Sequence, residues 1–114
     1  MGKRARREKL RAPTSVYDAG GALELRGSMT PATRREYAER GWAGSASTRE
    51  DSWQRSVEFL FERLAVSWAP GGVEYRKQKE LLARFRMASQ DERAAVRDAL
   101  RAHLAEHFPD VEAP

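Results

Sequence analysis

The feature that most constrains this chain is a run of three amphipathic patterns over residues 47–114. Apolar residues recur there at steps of three and four, the spacing that places them on one face of a helix. The predicted core positions are Trp53, Val57, Leu60, Phe61, Leu64 and Trp68 in the first helix, Val73, Leu81, Leu82 and Phe85 in the second, and Val96, Leu100, Leu104 and Phe108 in the third.

Local signals give these helices their ends. Ser47 with Glu50, and Ser89 with Glu92, have the spacing of a capping box, in which each residue binds the other's backbone amide. A Pro-Gly-Gly sequence at residues 70–72 is expected to end the first helix after Trp68. The second helix is expected over about residues 73–87, and the third is expected to end near Phe108. The sequence therefore predicts an all-α fold, a small bundle of three main helices.

The residues before this bundle predict an irregular N-terminal extension. Residues 22–26 alternate apolar and polar side chains, which favours a short strand, and a strand needs a partner to satisfy its backbone groups. Thr30 and Pro31 are typical of a helix start, and Gly41 is expected to end that short helix. We therefore expect a basic flexible arm and hinge at 1–21, an extension at 22–46 and a three-helix domain at 47–114.

Composition narrows the environment and the partners. The chain has no cysteine, which excludes disulfides and thiolate metal sites. Its longest apolar stretch is far too short to span a bilayer, so no membrane association is expected, and the predicted location is the cytoplasm. Residues 1–12 hold six basic residues and one acidic residue, whereas the other 102 hold fifteen basic and sixteen acidic residues. The positive charge thus belongs to an arm and not to a basic domain.

The sequence does not predict an enzyme. It lacks a glycine-rich phosphate loop and a nucleophile in a catalytic context, and no cofactor is expected. The segment from His103 to His107 matches the H-x-x-E-H pattern of inverted zinc peptidases. That family needs a third ligand further along the chain, and only seven residues follow His107. The alternative is that His103 and His107 border the apolar face and favour the helix end through its dipole.

Two groups of basic residues indicate nucleic-acid binding as one possible activity. The arm contributes Lys3, Arg4, Arg6, Arg7, Lys9 and Arg11, and the third helix contributes the stripe of Arg93, Arg97 and Arg101. Together they could contact a phosphate backbone without sequence preference. The alternatives are a solvated helix face for the stripe, and an acidic protein partner or simple solubility for the arm.

A protein-binding surface is the other prediction. Phe59 and Val66 are seven residues apart and lie on the opposite side of the first long helix from the Trp53 stripe. Either the N-terminal segment covers them, through Leu23, Leu25, Met29, Tyr37 and Trp42, or a partner or second copy does. In the second case the surface would include Phe59, Val66 and the edge of the strand that carries Leu23 and Leu25.

The order of elements resembles one family. A strand at residues 23–25, a Thr-Pro helix start at residues 30–31, and short helices that lead to a charged tail are similar to the small tail-assembly chaperones of tailed phages. This resemblance covers most of the chain. It implies a non-enzymatic protein that binds a long, helical, aggregation-prone partner during assembly, in the host cytoplasm.

Two functional hypotheses follow. The first is a non-enzymatic helical interaction module that acts as an assembly factor or adaptor. Its partner is another protein, or a second copy of the chain in a homo-oligomer. The second is a nucleic-acid-associated accessory protein that uses its basic arm and the arginine stripe.

Overall fold

A three-stranded antiparallel sheet and a set of helices share one core. The computed structural model describes residues 13–42 and 49–114, and the side chains of these except residues 40–42 and 49–51. Within that part of the chain the elements are β1 (Thr14–Asp18), β2 (Ala22–Arg26), α1 (Pro31–Trp42), α2 (Arg49–Leu64), β3 (Ala65–Trp68), a 3₁₀ turn (Pro70–Gly72), α3 (Gln78–Arg86) and α4 (Gln90–His107). The Ser47–Glu50 capping box and the basic arm lie outside the described residues.

The predicted all-α class is wrong, because the chain folds as a mixed α+β protein. The first long helix does not continue to Trp68 but ends at Leu64, and residues 65–68 form β3. Their apolar spacing is compatible with a continued helix. The pairing that decides the outcome is tertiary, since β3 hydrogen-bonds to β2.

The strand predicted at residues 22–26 is present as β2, and it is the central strand of the sheet. It pairs with β1 on one side and with β3 on the other, in the order β1-β2-β3. Leu23 and Leu25 point into the core and are fully buried. The sequence analysis missed β1 because its half-buried face carries Ser15 and Tyr17 instead of two aliphatic residues.

Trp68 joins the sheet to the helices. Its side chain is fully buried, and its indole Nε1 donates to the carbonyl oxygen of Ala19 in the β1–β2 turn at 2.9 Å. Its ring packs edge-on against Phe61 of α2, with centroids 5.5 Å apart. Its backbone also exchanges two hydrogen bonds with Tyr75. This bridge explains why α3 begins at Gln78 and not near Val73, which is exposed.

The predicted third helix is confirmed as α4, with both hydrogen bonds of the Ser89–Glu92 capping box. Glu92 has a second role, because its carboxylate also accepts from Arg84 Nη2 of α3 at 2.8 Å. The Arg84 hydrogen bond, followed by the Ser89 amide, holds the pKa of Glu92 below its usual value. One carboxylate thus caps α4 and ties α3 to it.

The α1 helix packs mainly on α2. It begins at Pro31, where the Thr30 hydroxyl accepts from the backbone amide of Thr33 at 3.1 Å, as an N-cap does. Tyr37 of α1 stacks on Phe59 of α2, with ring centroids 6.1 Å apart. No helix in residues 13–42 and 49–114 is long and apolar enough to cross a membrane.

We predict that Gly21→Ala destabilises the protein far more than Gly71→Ala does. Gly21 has a φ of +147°, and an added Cβ would lie 1.9 Å from the carbonyl oxygen of Ala69. Gly71 also has positive φ, but a Cβ there would meet nothing within 4 Å. We expect a loss of about 1 kcal/mol at Gly71 and about 3 kcal/mol or more at Gly21, measured by urea unfolding. Equal losses would show that the turn is not packed against the end of β3.

Candidate functional site

An open groove of about 740 Å³ lies between the first half of α2, the end of α3 and the start of α4. Its apolar lining comes from Trp53, Val57, Phe85, Ala88 and Ala94. Its polar lining comes from Gln54, Arg55, Glu58, Arg86, Gln90, Arg93 and Arg97. We call this feature the α2–α4 groove.

Helical spacing brings these residues to one place. Trp53 and Val57 are four residues apart on α2, as Arg93 and Arg97 are on α4, so each pair occupies one helix face. The short turn at residues 87–89 brings the end of α3 beside the start of α4. Ala88 and Ala94 have small side chains, which leaves space above the floor.

Aromatic rings, a backbone hydrogen bond and one ion pair position three of the four arginines that line the groove. The Arg97 guanidinium carbon lies 4.2 Å from the centroid of the Trp53 ring, which is a close cation–π contact. Arg93 lies over Phe85 at 5.7 Å, and its Nη2 donates to the carbonyl oxygen of Arg86 at 2.7 Å. Arg86 Nε in turn donates to Glu58 Oε1 at 2.6 Å, from α3 to α2. These contacts order Arg93 and Arg97 before any ligand arrives.

The electrostatics of the groove favour an acidic ligand with apolar side chains. Four arginines and one glutamate line it, so its formal charge is positive. Half-buried Trp53 and buried Val57 and Phe85 supply an apolar floor. No histidine, serine or cysteine is among the described residues that line the groove.

The residues predicted to bind a partner lie elsewhere. Leu23 and Leu25 are inside the core, and β2, which carries them, has no free edge. Phe59 is only 6% exposed, between the stacked Tyr37 ring and the Arg63 guanidinium, 5.0 Å from its centroid. Val66 is half-buried in β3. None of the four lines the α2–α4 groove.

The residues predicted to bind nucleic acid are divided by the structure. Lys3, Arg4, Arg6, Arg7, Lys9 and Arg11 lie outside the described residues. The stripe on α4 has partners within the chain: Arg93 binds the end of α3, while Arg97 Nε and Arg101 Nη1 donate to the backbone oxygen of Pro114 at 3.3 and 2.7 Å. The guanidinium donors that would bind phosphate are therefore already bonded to backbone oxygens of the chain.

The two histidines of the H-x-x-E-H pattern fasten α4 to the sheet. Their rings are 4.5 Å apart. His103 is fully buried, and its Nε2 lies 2.6 Å from the carbonyl oxygen of Arg26, which can only accept. Nε2 therefore carries the proton, and Nδ1 accepts from the hydroxyl of Tyr17 at 2.8 Å. His107 Nε2 meets Ser15 Oγ at 3.1 Å.

These contacts define a neutral, fully hydrogen-bonded imidazole at residue 103. Burial lowers the pKa of His103, and the neighbouring His107 adds to this, while the carbonyl of Arg26 and the carboxylate of Glu106 act in the opposite direction. Within the described residues, no group of three or more His, Cys, Asp and Glu side chains is placed to hold a metal ion. The pair is best explained as a structural contact between α4 and β1.

Sequence reasoning missed the α2–α4 groove. It placed Trp53 in the core stripe, and it considered Arg93 and Arg97 only as one exposed row. The groove depends on how the ends of three helices meet, which helical periodicity does not report. The available signal in the sequence was a pair of alanines, Ala88 in the turn between α3 and α4 and Ala94 near the start of α4. Their side chains are smaller than the core residues of the two helices.

Comparisons of this chain with models of protein families, with curated proteins and with solved structures found no match.

We predict that the protein loses stability as the pH falls below about 6.5, the ordinary pKa of histidine. Because His103 stays neutral in the folded protein, the unfolded chain takes up a proton first, so its contribution is complete above that pH and decreases below it. One such group changes the free energy of unfolding by up to about 1.4 kcal/mol per pH unit. Urea unfolding at several pH values should show this loss, and His103→Gln should reduce it. An NMR titration that gave His103 a pKa of 6.5 or above would contradict the assignment.

Proposed function

We propose that this protein is a non-enzymatic interaction module, an assembly factor or adaptor that binds a segment of a protein partner in the α2–α4 groove. The observation that carries the proposal is the combination of an apolar floor with an ordered arginine rim, around Trp53 and Phe85. Tryptophan and arginine are the residue types that contribute most often to hot spots in protein interfaces.

The arginine rim is suited to binding because contacts within the protein already hold some of its side chains in place. A free arginine loses side-chain entropy when a partner fixes it, and that loss weakens binding. Arg97 is already held on the Trp53 ring, and Arg93 lies over Phe85 and donates to the Arg86 carbonyl oxygen. The remaining donors of these guanidinium groups can meet carboxylates at little further entropic cost.

The groove lies among helices, which favours a helical partner segment. Amphipathic helices bind by placing an apolar stripe in such a groove, with side chains one helical turn apart as anchors. The resemblance to small tail-assembly chaperones of tailed phages is consistent with a long helical partner. In that setting the protein acts in the cytoplasm, or in the host cytoplasm if a phage encodes it. A second copy of the chain is the alternative occupant.

The competing function is association with nucleic acid through the basic arm and the arginine stripe. Its weakness is that Arg93, Arg97 and Arg101 all bind backbone oxygens of the chain itself. A phosphate backbone would have to compete with these contacts. Sensitivity to nuclease distinguishes this function from the first.

We predict that Trp53→Ala and Arg86→Glu each weaken binding of the natural partner by about thirtyfold, the equivalent of about 2 kcal/mol for an interface hot spot. Arg86 is mostly exposed and Trp53 half-buried, so both variants should keep their helicity. The partner is first captured with the full-length protein from source cells treated with nuclease, and its affinity for each purified variant is then measured by calorimetry.

Val73→Ala is the matched control, because Val73 is an exposed apolar residue outside the groove, and it should leave the affinity unchanged. The proposal fails if the captured proteins disappear with nuclease. It also fails if a surviving partner binds the Trp53 and Arg86 variants as tightly as the original protein.

A further inference from the structure

Residues 109–114 follow α4 and pack on the protein, with a turn at residues 109–110, a bend at residue 111 and an irregular stretch at residues 112–114. Val111 and Ala113 are half-buried and Pro114 is buried, whereas Asp110 and Glu112 are exposed. One side of the segment therefore faces the protein and the other faces solvent. The backbone hydrogen bond of this segment is local, because the Val111 amide donates to the Phe108 carbonyl oxygen at 2.9 Å.

Four side chains from two helices bind this segment. Arg34 of α1 forms an ion pair with Asp110 at 2.9 Å, and the Tyr37 hydroxyl donates to the backbone oxygen of Glu112. From α4, Arg97 and Arg101 both donate to the backbone oxygen of Pro114. We call the surface formed by Arg34, Tyr37, Arg97 and Arg101 the α1–α4 site.

The contacts are of the kind by which a protein recognises a peptide segment. Three of the four go to backbone oxygens, those of Glu112 and Pro114, so they fix the path of the peptide without selecting its side chains. Arg34 selects an acidic residue, through its ion pair with the Asp110 carboxylate. The inward positions of Val111 and Ala113 select small apolar side chains. Three arginines make the surface electropositive, which favours an acidic occupant.

The grip on the segment is open to competition. The Arg34–Asp110 pair is exposed, with 38% and 70% of the two side chains accessible, and exposed ion pairs contribute little to stability. Apart from the backbone bond between Val111 and Phe108, side chains hold the described segment by the hydrogen bonds above, and not a strand ladder. A second peptide of the same chemistry would meet the same four side chains.

We propose that the α1–α4 site binds a short acidic peptide of a partner protein, and that residues 109–114 occupy it in the free protein and must leave first. This is a second site, distinct from the α2–α4 groove. The two meet at Arg97, which lies over Trp53 on one side and binds Pro114 on the other. A partner with a helix followed by a short acidic segment would engage both.

The test uses the full chain and a fluorescein-labelled synthetic peptide with the sequence of residues 109–114. The double variant Asp110→Lys, Val111→Asp removes the ion pair and places a charge at an inward position, which should release the chain's own segment. Fluorescence anisotropy should show at least tenfold tighter peptide binding to this variant than to the original protein. Adding Arg34→Glu should abolish the gain. Asp98→Lys, on the exposed surface of α4, is the control for the change of charge and should bind like the original protein.

Amide hydrogen exchange at position 111 reports whether the segment has been released, and circular dichroism reports whether the helices remain. The single variant Asp110→Lys replaces the double variant if the latter loses its helices. Release of the segment without a gain in peptide binding would overturn the proposal. So would an amide at position 111 that stays as protected in the variant as in the original protein, because the segment would then be a fixed part of the fold. Equal binding to the original protein and the variant would place the peptide elsewhere and would also overturn it.

Discussion

The structure depends on the direct passage from α2 into β3, between Leu64 and Ala65. A helix and a strand that follow each other without a linker fix the sheet relative to the helices. Trp68 then secures that relation from the strand, since its buried indole binds the β1–β2 turn through Ala19 and packs against Phe61 and Phe85. Gly21 permits the close approach of the turn, where a larger residue would meet the backbone at Ala69.

The binding surfaces that we propose are consequences of this frame. The sheet holds α2, and the Arg84–Glu92 hydrogen bond ties α3 to α4. The α2–α4 groove lies between the first half of α2, the end of α3 and the start of α4. The α1 helix packs on α2 through Tyr37 and Phe59, and residues 109–114 bridge α1 and α4. Arg97 contacts both surfaces, so a ligand in one changes the surroundings of the other.

Local patterns predicted what is locally determined. The α4 helix, its capping box at Ser89 and the buried positions of α2 and α4 follow from periodicity and hydrogen bonding within a few residues. Residues 65–68 were assigned to a helix because their spacing permits one, and only the pairing with β2 decides otherwise. The binding surface was harder to predict from the sequence than the fold. Phe59 is apolar on an outer helix face, which suggests a binding surface, but the ring of Tyr37 covers it. Side-chain spacing within one helix cannot report what a distant segment covers.

The most direct test of the account is hydrogen exchange of the protein alone and in complex with the partner captured from its source cells. We predict slower exchange on binding in two stretches, the first half of α2 around Trp53 and the α3–α4 connection from Phe85 to Arg97, with nuclease present throughout. Both stretches line the α2–α4 groove. Protection that spares both stretches, or that requires nucleic acid, would contradict the proposed interaction module.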